Sequence, residues 1–361
     1  DFNAYIKDAE VIGHNIIGYD VPVLERLLGT DFSSCKITDT LVLSRLTDPS
    51  REGGHSLDSW GQSLGFPKGE HSDWDTFSQD MVDYCKQDVL VNVKVYNALR
   101  SVLAGFGSES ISLEHQVQSI ITKQTDNGWL LDQEHAFILL AKLKEKKYDL
   151  EDKVHETFKP LPTFIKEITP KYKKDGTMSV VGLKFLGDQW ENYTAPFSRI
   201  DYPAFNLGSR QQIGRYLQFF GWKPEKFTEK GHVIVDETIL SKVTGIPEAN
   251  MIAEYLMVQK RIAQVQSWLD AVKDDGRVHG YVNANGAVTG RMTHSSPNVA
   301  QVPSSSAPYG KDCRACWTVP KGYKVVGMDA SGLELRMLAH YMNDEGYTNE
   351  ILTGDIHTAN Q

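Results

Sequence analysis

Apolar residues recur three and four positions apart through most of the chain and form short unbroken runs in only a few places. The first run, Val11-Ile12-Gly13, predicts a short strand, and Val23, Leu24, Leu27 and Leu28 predict a helix after it. Asp39-Thr40 leads into a second helical stretch, LVLSRL. Gly53-Gly54 breaks the pattern, and HSLDSWGQSLG (55–65) predicts a short helix closed by glycine. Met81, Tyr84, Cys85, Asp88 and Val89 mark a long helix from Ser78 to Leu99. This alternation predicts an α/β domain over residues 1–104.

The Gly/Ser-rich AGFGSES (104–110) marks a boundary. Helices are predicted over 111–128 and 135–158, the second with Leu139, Leu143, Leu150 and Val154 on one side. A polar, proline-containing stretch runs from Pro160 to Pro203, with an exposed turn at Lys171–Gly176. Ser209 and Gln212 have capping-box spacing at the start of the next helix. MIAEYLMVQKRIAQVQSWLDAV (251–272) is a helix with Val258, Ile262, Val265 and Leu269 on one face, so 111–270 reads as a helical region. Asp275-Gly276 opens β-type segments, and residues 271–361 form the third region. There KVVGMDASGLELRMLAHYM (324–342) predicts an apolar strand running into a helix, with Leu335, Leu338, Ala339 and Met342 as its buried stripe.

Composition changes little in this picture. The 361 residues are 40% hydrophobic and 24% charged, which excludes wholesale disorder and a disulfide scaffold. No apolar run reaches the length of a membrane span, so no membrane partner is expected. Four cysteines point to a reducing compartment, the cytoplasm. The net charge of -9 is concentrated early: residues 1–100 hold 16 acidic and 9 basic side chains. Acidic excess of that kind suits a metal-dependent nuclease and equally an ordinary acidic surface.

Asp329 ends the apolar run Val325–Met328, where a carboxylate would emerge at a strand end. Phosphoryl transfer uses carboxylates so fixed, because Mg²⁺ takes oxygen ligands and bridges protein to phosphate. On local pattern alone, Asp329 is equally a helix cap. Cys313 and Cys316 form a C-x-x-C without a second ligand pair, which predicts packing and not zinc.

DASGLELR (329–336), TGR (289–291), PNVAQVP (297–303) and GDIHT (354–358) occur together and resemble family A DNA polymerases, closest to the replicative enzymes of short-tailed phages. The resemblance implies that Asp329 and the backbone carbonyl of Ala330 hold Mg²⁺. Glu334 would lie beneath the sugar of the incoming dNTP and exclude a 2′-hydroxyl, and His357 would contact the nucleotide's phosphates. Arg291, Asn298 and Gln301 would touch the minor groove of primer–template DNA, whose acceptors vary little between base pairs.

HNIIGYD (14–20) and YCKQD (84–88) resemble the second and third motifs of DEDD-type 3′–5′ proofreading exonucleases, an RNase H-like fold. That resemblance implies that Asp20 and Asp88 are metal carboxylates, that Asn15 is a substrate-site amide and that Tyr84 orients the attacking water. The family partition implied is an exonuclease domain over 1–104, thumb helices over 111–270 and the first part of the palm over 271–361. Lys142, Lys144, Lys146, Lys147, Arg210 and Arg215 would approach DNA phosphates from the thumb. Some phage relatives insert a thioredoxin-recruiting loop where 160–205 lies; the segment here is short for that role, and host thioredoxin stays an open alternative.

The family's first exonuclease motif, Asp-x-Glu, would lie before Asp1, and its fingers helix and second palm aspartate beyond Gln361. The chain therefore reads as a central, inactive fragment of an enzyme acting in the infected bacterial host. Rival readings are a repair-type polymerase I, a single-subunit RNA polymerase and a non-catalytic DNA-binding module.

Overall fold

In the computed structural model, residues 2–179, 184, 186 and 195–354 are described. They divide into two compact units, residues 1–317 and 318–361.

The first unit opens with helix α1 (Phe2–Ile6), strand β1 (Glu10–Gly13), helix α2 (Asp20–Leu28) and strand β2 (Lys36–Asp39). The two strands pair in parallel, in a register that sets Gly13 beside Asp39. Helices α3 (Thr40–Thr47), α4 (Leu57–Ser63) and α5 (Gln79–Val102) follow, each begun by a side-chain cap from Asp39, Ser56 and Ser78 respectively. Each cap oxygen satisfies one of the backbone N–H groups that a helix N-terminus leaves unpaired. A small apolar core of Leu43, Val91, Val95 and Leu99 joins α3 to α5, with Leu57, Trp60 and Phe66 packed on it. The predicted stripe on α5 therefore continues differently from expectation: Cys85 and Val89 face solvent, while the row from Tyr84 and Asp88 leads into Val91, Val95 and Leu99.

Helix α6 (Ser108–Asn127), strand β3 (Trp129–Leu131) and helix α7 (Gln133–Thr157) lead into a second, larger core. The predicted face of α7 is buried at Leu139, Leu143, Leu150 and Val154. Strands β4 (Thr163–Ile168) and β5 (Phe197–Asp201) pair antiparallel inside the polar, proline-containing stretch, where no strand was expected. Between them, Lys173 and Thr177 close the expected turn at a left-handed Gly176. Helices α8 (Arg210–Phe219), α9 (Glu237–Leu240) and α10 (Pro247–Asp270) complete the helical region, with α10 lying along α7. The capping box of α8 forms by half: Ser209 accepts the Gln212 N–H, but Gln212 reaches past Ser209 to the Asn206 N–H at 2.8 Å.

Strand β6 (Arg277–Val278) pairs antiparallel with β3, and β7 (Tyr281–Asn283) with β8 (Thr293–Ser295). Helix α11 (Gly310–Ala315) carries Cys313, which is fully buried together with Cys316 in the larger core. Burial and the neighbouring Cys313 push the Cys316 thiol up to about 12, as suits two packed thiols.

The second unit differs from its sequence reading. Helices α12 (Leu333–Met342) and α13 (Glu345–Thr353) form, but residues 323–330 pair with no strand among the described residues. Val326 is 90% exposed and Met328 99%. A strand needs a partner to satisfy its backbone, and none is supplied here. Of the predicted α12 stripe only Ala339 is buried; Leu338 and Met342 are exposed and Leu335 is intermediate.

Candidate active sites

The loop leaving β1 is organised by one buried carboxylate. Asp39 is 1% exposed. Its Oδ1 accepts the N–H groups of Asn15 (2.8 Å) and Leu41 (2.9 Å), and its Oδ2 accepts that of Ile17 (3.1 Å). Burial raises the Asp39 carboxyl while the three donors pull it back. The Asp39 N–H in turn donates to Nε2 of His115 on α6 (2.9 Å), whose Nδ1 lies 2.8 Å from the Ile111 carbonyl. In that pair of contacts Nε2 is the acceptor and Nδ1 faces the carbonyl as donor. Thr40 donates to Asn92 Oδ1 (2.7 Å) and stands 2.9 Å from Nδ1 of His14, which burial pushes down to about 4.

This framework holds two of the expected residues. Asn15 adopts left-handed backbone geometry (φ 60°), and a Cβ on Gly18 would meet its amide oxygen at 2.6 Å, so a larger residue at 18 would push the Asn15 amide from its present position. Asp20 occupies the first turn of α2. Desolvation raises its carboxyl, and repulsion from Asp39 adds to the effect.

Tyr84 and Asp88 share one face of α5, four residues apart. Lys68 serves both: its ammonium is 2.8 Å from Asp88 Oδ2 and 5.0 Å from the centre of the Tyr84 ring. Asp88 Oδ1 is buried with no hydrogen-bond partner. An orphaned carboxylate oxygen of this kind fits a cation ligand. No group of three or more His, Cys, Asp or Glu side chains is placed to hold a metal ion among the described residues. Sequence reasoning missed Lys68, Asp39 and His115. Only Asp39 had a local signal, as a cap residue ahead of an apolar helix.

Arg291, Asn298 and Gln301 gather near the β7–β8 hairpin. Arg291 is exposed in its loop, where its carbonyl accepts the Ala287 N–H (3.1 Å). Asn298 caps a short turn of helix through the Ala300 N–H, leaving its amide nitrogen as donor. The Gln301 carbonyl accepts from Gln264 on α10 (2.8 Å), and its side chain is exposed. The hairpin is tied back to the first hundred residues through Tyr281, which meets Arg45, and its loop to α6 through Asn285, which donates to Glu114 (2.9 Å).

Four of the cations expected to face phosphates have partners within the chain, Lys147 lying over the rings of Tyr148 (5.8 Å) and Tyr255 (5.7 Å). Lys146 pairs with Glu254 (3.0 Å), Arg210 donates to the Val235 carbonyl (2.7 Å), and Arg215 donates to Pro162 and Thr163. Lys142 and Lys144 are exposed.

In the second unit, Asp329 and Ala330 are exposed on the unpaired segment. Glu334 lies in the first turn of α12, behind a left-handed Gly332, and Arg336 bonds the Ser331 carbonyl (2.8 Å). His357 lies outside the described residues, as does most of 180–194.

Comparison with known proteins gives a consistent result. Residues 184–361 match the family described as DNA polymerase family A. The chain is 35% identical over 475 residues to the DNA-directed DNA polymerase of Escherichia phage T7, covering 100% of this chain and 67% of that protein. The enzyme of Enterobacteria phage T3 matches with the same figures. DNA polymerase I of Helicobacter pylori (strain J99 / ATCC 700824) is 24% identical, over 99% of this chain and 35% of that protein. Among solved structures, the POL domain of Pol1 from M. smegmatis, in complex with DNA primer–template and dNTP, shares the fold with a TM-score of 0.68 at 18% identity. It is covered to 54% of its length, against 99% of this chain.

Proposed function

The chain belongs to DNA polymerase family A, and from that premise we propose that the native full-length enzyme extends primer strands on a DNA template and edits their 3′ ends during phage DNA replication in the bacterial cytoplasm. The match along the whole chain to the phage T7 polymerase carries this reading. The partition proposed is editing domain over 1–104, thumb over 111–270 and palm over 271–361. No described helix is long and apolar enough to cross a membrane.

At the polymerising site, Asp329 and the Ala330 carbonyl would hold Mg²⁺, and at the editing site Asp20 and Asp88. The orphaned Asp88 Oδ1 supports the second assignment. Bound Mg²⁺ supplies charge stabilisation for in-line attack at phosphorus. The protein's own groups do the rest. Tyr84 orients a water, Asn15 holds the strand end, and Arg291, Asn298 and Gln301 read the minor groove without regard to sequence. Glu334 occupies the space of a 2′-hydroxyl, His357 contacts the nucleotide phosphates, and host thioredoxin is a candidate processivity partner.

Primer extension and 3′ excision, measured on the native protein with Mg²⁺, test the proposal. Asp329→Ala should remove extension alone and Asp88→Ala excision alone. Loss of neither activity in its own variant would overturn the metal assignments. Binding to primer–template that is independent of sequence and falls steeply with salt is also expected; salt-insensitive binding would count against a backbone-dominated groove.

A further inference from the structure

Residues 66–77, between α4 and α5, fold over the face of α5 that carries Tyr84 and Asp88. Lys68 contacts both, as described. Gly69 lies against the tyrosine, where a Cβ would stand 3.5 Å from the ring. Trp74 meets Tyr84 edge-on with ring centres 5.3 Å apart, and the Gln87 amide tethers the Pro67 carbonyl at 2.8 Å. His71 completes a three-ring cluster, edge-on to Trp74 at 4.7 Å and 6.0 Å from Tyr84, yet the cluster lies at the surface. Trp74 is 56% exposed and belongs to neither apolar core. Lys68 is the segment's only Lys or Arg, among Glu70, Asp73 and Asp75.

We propose that Lys68 and Trp74 form the subsite that receives an unpaired DNA strand end, Lys68 taking a backbone phosphate and Trp74 a base face. This rests on the editing reading of Tyr84 and Asp88. A phosphate approaching Asp88 meets a like charge, and Lys68 is the cation already beside that carboxylate. An ammonium has three donors, so it can keep Asp88 and still bond a phosphate oxygen. Single strands offer unstacked bases, which aromatic faces bind without sequence preference. A duplex offers none along its length, and the acidic neighbours repel its denser backbone charge.

The test is fluorescence anisotropy of a labelled oligothymidylate on the full chain in EDTA, with the duplex surface saturated by unlabelled blunt hairpin. Lys68→Met keeps the aliphatic stem against Tyr84. It should weaken single-strand binding about fivefold and flatten the dependence of log K on log salt by about 0.7, the value for one phosphate contact. Trp74→Ala should weaken it about tenfold with the slope unchanged, and Trp74→Phe should retain most of the affinity. Asp88→Asn should strengthen it several-fold by removing the repulsion. Affinity within twofold of wild type in both Lys68→Met and Trp74→Ala would overturn the subsite, as would a loss in Lys68→Met without a change in slope. If Asp88→Asn still strengthens binding in that case, the editing face stands and only the subsite falls. If Asp88→Asn is also without effect, the editing reading falls with it.

Discussion

Asp39 and Asp329 each stand ahead of a helix, Asp39 at the end of the strand Lys36–Asp39 and Asp329 after the apolar run Val325–Met328, and the fold treats them in opposite ways. β2 lies beside β1, so Asp39 is carried inside and its carboxylate is spent on three backbone N–H groups. Val325–Met328 pairs with no strand among the described residues, and Asp329 stays in solvent. The contrast separates two roles that a sequence pattern leaves merged. A carboxylate whose oxygens are all hydrogen-bonded is an anchor; one with oxygens to spare is available to a metal and a phosphate. Asp88 lies between the two, with one oxygen on Lys68 and the other buried without a partner.

The contrast is broken most sharply by substitution of the two aspartates. In the native protein, Asp329→Ala should lower kcat/KM for templated incorporation by about a thousandfold or more, about 4 kcal/mol of transition-state stabilisation. Because Asp329 is exposed, its unfolding free energy should change by less than about 0.5 kcal/mol. Asp39→Ala should do the reverse, costing about 3 kcal/mol in urea unfolding by leaving the buried Ile17 N–H and the half-buried N–H groups of Asn15 and Leu41 unpaired. Equal stability losses in the two variants would erase the distinction.

Acid should act on the same anchored region. His14 is held neutral, with its pKa pushed down to about 4 against an ordinary 6.5. The unfolded chain takes up this proton first, so stability is full above about pH 6.5 and falls as pH drops toward 4, by up to about 3 kcal/mol. Asp39, raised by burial, gives the opposite slope just above its ordinary 3.8. Urea unfolding against pH should show the fall between 6.5 and 4, and His14→Gln should flatten it. A profile flat across that interval in the wild type would refute the buried neutral imidazole.

The smallest expected effect sharpens the picture at the second unit. Glu334→Ala should raise the ratio of rNTP to dNTP incorporation, each measured as kcat/KM, by about tenfold, or about 1.4 kcal/mol. An unchanged ratio would make Glu334 an ordinary first-turn acid of α12, favourable only to the helix dipole.

Helices were legible because their signals are local. The 3.6-residue period gave α5, α7 and α10, and Asp39, Ser78 and Ser209 stand at three starts. Pairing was not legible, because it joins distant residues. β4 and β5 lie about 30 positions apart in the chain, and nothing in TFIKEI announces its partner. The same limit hid Lys68, which meets Asp88 across 20 positions, and left the internal partners of Lys146, Arg210 and Arg215 unseen. Spacing identifies a charge but not what neutralises it. The motifs themselves, by contrast, were enough to identify the family, although the geometry at Asp329 could not be read from them.

Residue-resolved hydrogen exchange of the chain measures the difference between the two aspartates directly, since exchange reports whether each backbone N–H is bonded and how often it opens. The N–H groups of Asn15, Ile17 and Leu41 should exchange slowly, released only when the core around Leu43 and Val95 opens. Those of Val325, Val326, Gly327 and Met328 should exchange within about tenfold of an unstructured peptide. Protection at 325–328 equal to that at Asn15 and Ile17 would contradict the account.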